Sequence, residues 1–125
     1  MKSAVVVIGS HFVGKSKTIN VYLKPKLGLT QKAHVFTLNE KDGFILSQSF
    51  EEADRSVDEV IKKYGKYYYF VVAARPKNEE PSNLCEVLEK LSNAGFIVHT
   101  VIIDPNDNEI YYDKKADEII NYLKG

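Results

Sequence analysis

Two hydrophobic periods alternate along this chain, and the switches between them predict its elements. Ala4–Ile8 is an unbroken, mostly β-branched run. Continuous rather than alternating hydrophobicity predicts a strand covered on both faces. A turn from Gly9 to Gly14 follows, then a short helix from Lys15 to about Lys24, which Pro25 should stop. Beyond the polar stretch Lys26–Lys32, which contains Gly28, two strands are expected at Ala33–Leu38 and Phe44–Gln48. The turn Asn39-Glu40-Lys41-Asp42-Gly43 joins them into a β-hairpin. Ser49 and Glu52 have capping-box spacing. Behind them Phe50, Ala53, Val57, Val60, Ile61 and Tyr64 recur at helical spacing, with Gly65 placed to end the helix.

Tyr67–Ala74 is a second β-prone run without alternation, read as a central strand. Ser82 is placed to cap a helix carrying Leu84, Val87, Leu88 and Leu91, with Gly95 at its end. Phe96–Ile103 reads as another strand, and Asp104-Pro105-Asn106-Asp107-Asn108 as a turn. Glu109–Tyr112 reads as a short edge strand, and Asp113 as the cap of a last helix with Ala116, Ile119, Ile120 and Leu123. Such alternation of strand and helix predicts an α/β fold in three layers, α/β/α, around a mostly parallel sheet. Since the turn after Ile103 is too short for a helical crossover, the strand after it should run antiparallel at the edge. The expected sheet is therefore parallel in the middle, with a β-hairpin insertion and an antiparallel edge strand.

Composition narrows the class without naming it. A chain of 125 residues suits one domain, 1–125. Lysine plus arginine and aspartate plus glutamate both total 17, so the formal net charge is zero. That balance gives no strong nucleic-acid signal, because bulk electrostatic binding needs an excess of cations. A single cysteine, Cys85, excludes an internal disulfide and fits a reducing compartment; its place in a helical apolar pattern suggests packing. No run approaches the ~20 apolar residues of a membrane span. The apolar run after Met1-Lys2-Ser3 is too short for a signal-peptide core. The expectation is a soluble cytoplasmic protein with no membrane partner.

The segment that carries chemistry reads Gly9-Ser10-His11-Phe12-Val13-Gly14-Lys15-Ser16. It matches G-x-x-x-x-G-K-[ST] at every fixed position, with a strand expected before it and a helix after. In these residues the chain resembles the P-loop NTPase superfamily, whose Walker A motif this is. The resemblance implies binding of a nucleoside triphosphate, ATP or GTP, together with Mg²⁺. Gly9 and Gly14 would let the backbone approach the phosphates without a Cβ in the way. The main-chain N–H groups of Ser10, His11, Phe12 and Val13 would replace the hydrogen bonds the phosphates lose on leaving water. The helix start would aim its unpaired N–H groups at the same charge. Lys15 would neutralise the β and γ phosphates. The hydroxyl of Ser16 would ligate Mg²⁺, and Lys17 closes the set.

The companions such a motif implies are less clear. A carboxylate after a hydrophobic strand usually helps hold the metal, and Thr100-Val101-Ile102-Ile103-Asp104 has that shape. Asp104 is thus a metal candidate, although Asp-Pro is also an ordinary turn opener. Ligands in open α/β sheets bind beyond the carboxyl ends of the strands. Gln48, Ser49, Arg75 and Lys77 should gather there. Gln48 would orient an attacking water and Arg75 would stabilise charge on the γ-phosphate; a polar strand end and a solvated charge are their plainer readings. Glu51 and Glu52 are candidate bases, although acids favour helix starts anyway. No Asn-Lys-x-Asp follows a strand, so guanine selectivity is unsupported, and no arginine-bearing lid lies between the last two strands. His11, His34 and His99 show no metal spacing with each other or with Cys85. The tyrosines at 67–69, 111 and 112 suit strands more than base stacking. Three functions remain open: a nucleotide-binding protein with weak or partner-dependent hydrolysis, a small NTPase or kinase acting with a protein partner, and a module that binds another anion or a protein.

Overall fold

The computed structural model describes residues 2–9, 17–30, 32–49, 56–76, 84–104 and 108–124, with backbone alone at 47–49. Strand β1 is Ser3–Ile8, β2 Val35–Leu38, β3 Lys41–Ser49, β4 Tyr69–Ala74 and β5 Ile97–Ile102. Helix α1 comprises a π-helical stretch, Thr18–Leu23, and an α-helical end, Lys24–Lys26. Helix α2 is Val57–Tyr64, α3 is Leu84–Asn93 and α4 is Glu109–Lys124. The sheet order is β2-β3-β4-β1-β5. Strands β3, β4, β1 and β5 are parallel, and β2 pairs antiparallel with β3.

The unbroken apolar runs became the sheet interior. All six residues of β1 and of β4 are buried. Alternate side chains serve opposite faces. Val5, Val7, Val71, Ala73 and Val101 pack with Ile19 and Leu23 of α1 and with Tyr112, Ala116, Ile119 and Leu123 of α4. Ala4, Val6, Ile8, Val72 and Ala74 pack with Val57 and Val60 of α2 and with Val87 and Leu91 of α3. Each fully buried valine of β1 contributes roughly 1.5–3 kcal/mol relative to an exposed one.

Several boundaries differ from expectation, each for a local reason. Pro25 does not stop α1. It sits in the first turn of the α-helical end, where a missing N–H costs little. The helix stops instead at Gly28, whose φ of 77° suits a residue without a Cβ. The hairpin turn is tighter than expected. Asn39 and Glu40, at φ 51° and 66°, form the whole two-residue turn, and Asp42 and Gly43 belong to β3. Gly43 lies opposite Phe36, whose ring fills the space a Cβ would take.

Ser49 lies in β3, so it does not cap the next helix. Ser56 does, accepting from Glu59 N–H at 3.5 Å; it has the same spacing to a glutamate three residues on. Phe50, Glu52 and Ala53 lie outside the described residues, as does Ser82. Glu109–Tyr112 is not an edge strand but the first turn of α4. The Asn108 side chain accepts from Ile110 N–H at 2.9 Å, which starts the helix there. Asp113 is accordingly inside α4, paired with Lys26 at 3.0 Å. The antiparallel edge strand is β2, on the far side of the sheet from β5. Cys85 is exposed and takes no part in packing. His34 and His99 stack on Phe44 and Tyr122, with ring centroids 5.7 and 4.7 Å apart. Among the described residues no helix is long and apolar enough to cross a membrane.

Candidate functional site

Strand order decides which sequence candidates are neighbours. Strand β1 lies between β4 and β5. At its carboxyl end Gly9 is buried and donates its N–H to Ala74 O at 3.2 Å. On the other side Ile103 donates to Ile8 O at 2.7 Å. Gly9 is therefore flanked by the end of β4, which leads into Arg75, and by the end of β5, which leads into Asp104. Arg75 is half-buried and Asp104 exposed.

The helices that follow β1 and β4 lie on opposite faces of the sheet. From β1 the chain passes to α1, packed on one face of the sheet; from β4 it passes to α3, packed on the other. Opposite faces are what right-handed crossovers in opposite directions along the sheet require. In open α/β sheets, ligands are taken beyond the carboxyl ends of neighbouring strands whose following helices lie on opposite faces, as they do for β1 and β4. The motif begins there, at Gly9. Ser10, His11, Phe12, Val13, Gly14, Lys15 and Ser16 lie outside the described residues, as do Glu51, Glu52 and Lys77.

The residue after the motif, Lys17, is tied to α4. Lys17 donates to Glu109 Oε1 at 2.7 Å. Its ammonium also stands 5.2 Å from the centroid of the Tyr112 ring. The hydrogen bond to Glu109 holds the Lys17 ammonium above the ordinary lysine range. Beside it, the Tyr111 hydroxyl accepts from Asp104 N–H at 2.8 Å, tying the end of β5 to the first turn of α4. Thus α4 braces both the helix after the motif and the strand end carrying Asp104. From the sequence Glu109 and Tyr111 were read as parts of an edge strand, not as residues bracing the site. The signal was Asn108 as a helix cap, followed by Tyr112, Ala116, Ile119 and Leu123 at helical spacing.

Gln48 stands apart from this group. It lies in β3, with β4 between it and β1. At ~4.8 Å per strand, its backbone is about 10 Å across the sheet from the end of β1. Among the described residues no group of three or more His, Cys, Asp or Glu side chains is placed to hold a metal ion. A lone Asp104 beside Gly9 suits Mg²⁺, which keeps several waters and takes one or two protein ligands plus phosphate oxygens. No family model, curated protein or solved structure matches the chain.

Proposed function

We propose that the protein binds a nucleoside triphosphate, ATP before GTP, with Mg²⁺ at the carboxyl edge between β1 and β4. We read its helices and sheet as the three-layer P-loop arrangement. One observation carries the reading: the Gly-x-x-x-x-Gly-Lys-Ser motif starts at the buried carboxyl end of the interior strand β1, where Gly9 is hydrogen-bonded to the end of β4 and Ile8 to the residue after β5. The backbone from Gly9 to Gly14 cradles the phosphates, and Lys15 offsets their charge. Ser16 and Asp104 would hold Mg²⁺. Bound Mg²⁺ supplies charge neutralisation across the β and γ phosphates. Arg75, next to Ala74, is the better placed of the two candidates for the γ-phosphate, and Gln48 the worse. Lys17 stays paired to Glu109 and serves mainly to hold α1 against α4. Hydrolysis is slow or waits on a protein partner, and the single cysteine suits the cytoplasm.

Melting temperature measured with ATP, GTP and ADP, each with and without Mg²⁺, tests this on wild type and Lys15→Ala. Ligand at a hundred times its Kd should stabilise the wild type by about 2.7 kcal/mol. The gain should need Mg²⁺ and vanish in Lys15→Ala. If millimolar nucleotide leaves the wild-type transition unmoved, the nucleotide reading is wrong.

A further inference from the structure

Strand β5 ends the sheet on the side away from the hairpin, and its own residues carry no charge or proline to keep the edge from pairing. Ile97–Ile102 is Ile-Val-His-Thr-Val-Ile. It contains no charge or proline and pairs with β1 without a bulge, although exposed edges are normally blunted by such features. Ile97 and Ile102 are 42% and 56% exposed, and Thr100 is exposed as well.

The direction of the main-chain groups follows from the pairing with β1. Ile97 donates its N–H to Lys2 O, and Ile103 to Ile8 O. Residues of one parity in a strand point their N–H and C=O to the same side. So Ile97, His99, Val101 and Ile103 face β1, and Val98, Thr100 and Ile102 present theirs at the open edge. Among the described residues nothing pairs there.

From this geometry we propose that β5 pairs antiparallel with β5 of a second copy of this chain, across a twofold axis at Thr100. That register puts Val98 opposite the second copy's Ile102, Thr100 opposite Thr100, and Ile102 opposite Val98. All three outward residues then become hydrogen-bonded pairs, and they are the only residues of β5 able to do so. A twofold axis normal to the sheet keeps each helix layer continuous with its counterpart, so the two five-stranded sheets join into one. Self-pairing also covers the exposed Ile102 with an apolar neighbour and sets no charge against its like, in a chain whose net charge is zero. The same chain surface meets itself, as a closed dimer interface requires.

Sedimentation equilibrium from low-micromolar to near-millimolar concentration, without nucleotide, tests the pairing directly. The apparent mass should double across the series. Thr100→Lys sets two lysines opposite each other at the axis, and Ile102→Lys buries a charge beside Val98. Each should abolish the doubling while leaving the circular dichroism unchanged, since both positions are exposed. Amide hydrogen exchange gives a second readout that needs no variant. The N–H groups of Val98, Thr100 and Ile102 should gain protection at high concentration, while those facing β1 are protected at every concentration. A mass that stays monomeric throughout, a dimer that survives Thr100→Lys, or exchange at Val98, Thr100 and Ile102 that ignores concentration would each overturn the proposal.

Discussion

Gly43→Ala adds one methyl group where the fold has no room for it. An ideal Cβ built at Gly43 falls 2.2 Å from Phe36 Cζ and 2.5 and 2.8 Å from its two Cε atoms. To restore ordinary contact the ring must retreat by about 1.2 Å, a movement a close-packed interior resists. Phe36 is only 2% exposed and stacks on Tyr69 with ring centroids 6.0 Å apart, so its displacement spreads into β4. Overpacking of this kind costs typically 1–3 kcal/mol. Against it stands the entropy the unfolded chain loses when glycine becomes alanine, worth about 0.4–1 kcal/mol in favour of folding. The steric term wins, and a net loss of about 1–2 kcal/mol is expected. Urea denaturation should show a lower midpoint with an unchanged slope. Attribution comes from a cycle with Phe36→Leu, which removes the ring. In that background Gly43→Ala should be neutral or slightly stabilising, giving a coupling energy of about 1–3 kcal/mol. If Gly43→Ala proves as stable as the wild type, or costs the same with and without the ring, the steric account fails.

Glu40→Gly should act in the opposite direction. Asn39 and Glu40 both have positive φ, and an Asn-Gly pair is the preferred occupant of such a two-residue turn, so the melting temperature should rise, by the equivalent of about 1 kcal/mol. Lys24 makes stability pH-dependent, because burial pushes its ammonium below the ordinary value of 10.5. Between the lowered folded value and 10.5 the unfolded chain holds a proton that the folded chain has shed, so stability should rise with pH through that alkaline window. Lys24→Met should flatten the rise, and denaturant midpoints that show the same alkaline gain in both proteins would disprove the assignment.

How much of this was legible in the sequence depended on the range of the interaction. The interior strands were legible because Val5–Ile8 and Phe70–Ala74 are apolar without a break, which only a doubly covered strand demands. Helix bodies showed in the spacing of Val57 with Val60 and of Val87 with Leu91. The misreadings came where two local rules competed. Tyr111-Tyr112 looks β-prone, but the cap at Asn108 and the apolar spacing toward Leu123 decided for helix. Asp42-Gly43 looks like a turn, but its glycine serves the ring of Phe36, and the turn fell to Asn39-Glu40. Ser49 and Ser56 both precede a glutamate by three residues, and the length of β3 determined which one capped a helix.

Site geometry depended on strand order, which no local pattern encodes. From the sequence alone Gln48, Arg75 and Asp104 were all candidates, each lying at or just past the end of a strand. The order β2-β3-β4-β1-β5 separates them. Because β4 and β5 are both hydrogen-bonded to β1, Arg75 and Asp104 follow strands adjacent to it, while Gln48 lies in a strand two positions away. The parallel crossovers that produce this order are long-range contacts, and their direction follows from handedness rather than from any residue. The same order leaves β5 outermost, so the strand that brings Asp104 beside Gly9 is also the strand with the open edge. Tyr111 joins the two features: its hydroxyl holds the main chain of Asp104, two residues beyond Ile102. Pairing at the edge and the position of the candidate metal carboxylate therefore share one short stretch of backbone, anchored on one side by β1 and on the other by α4.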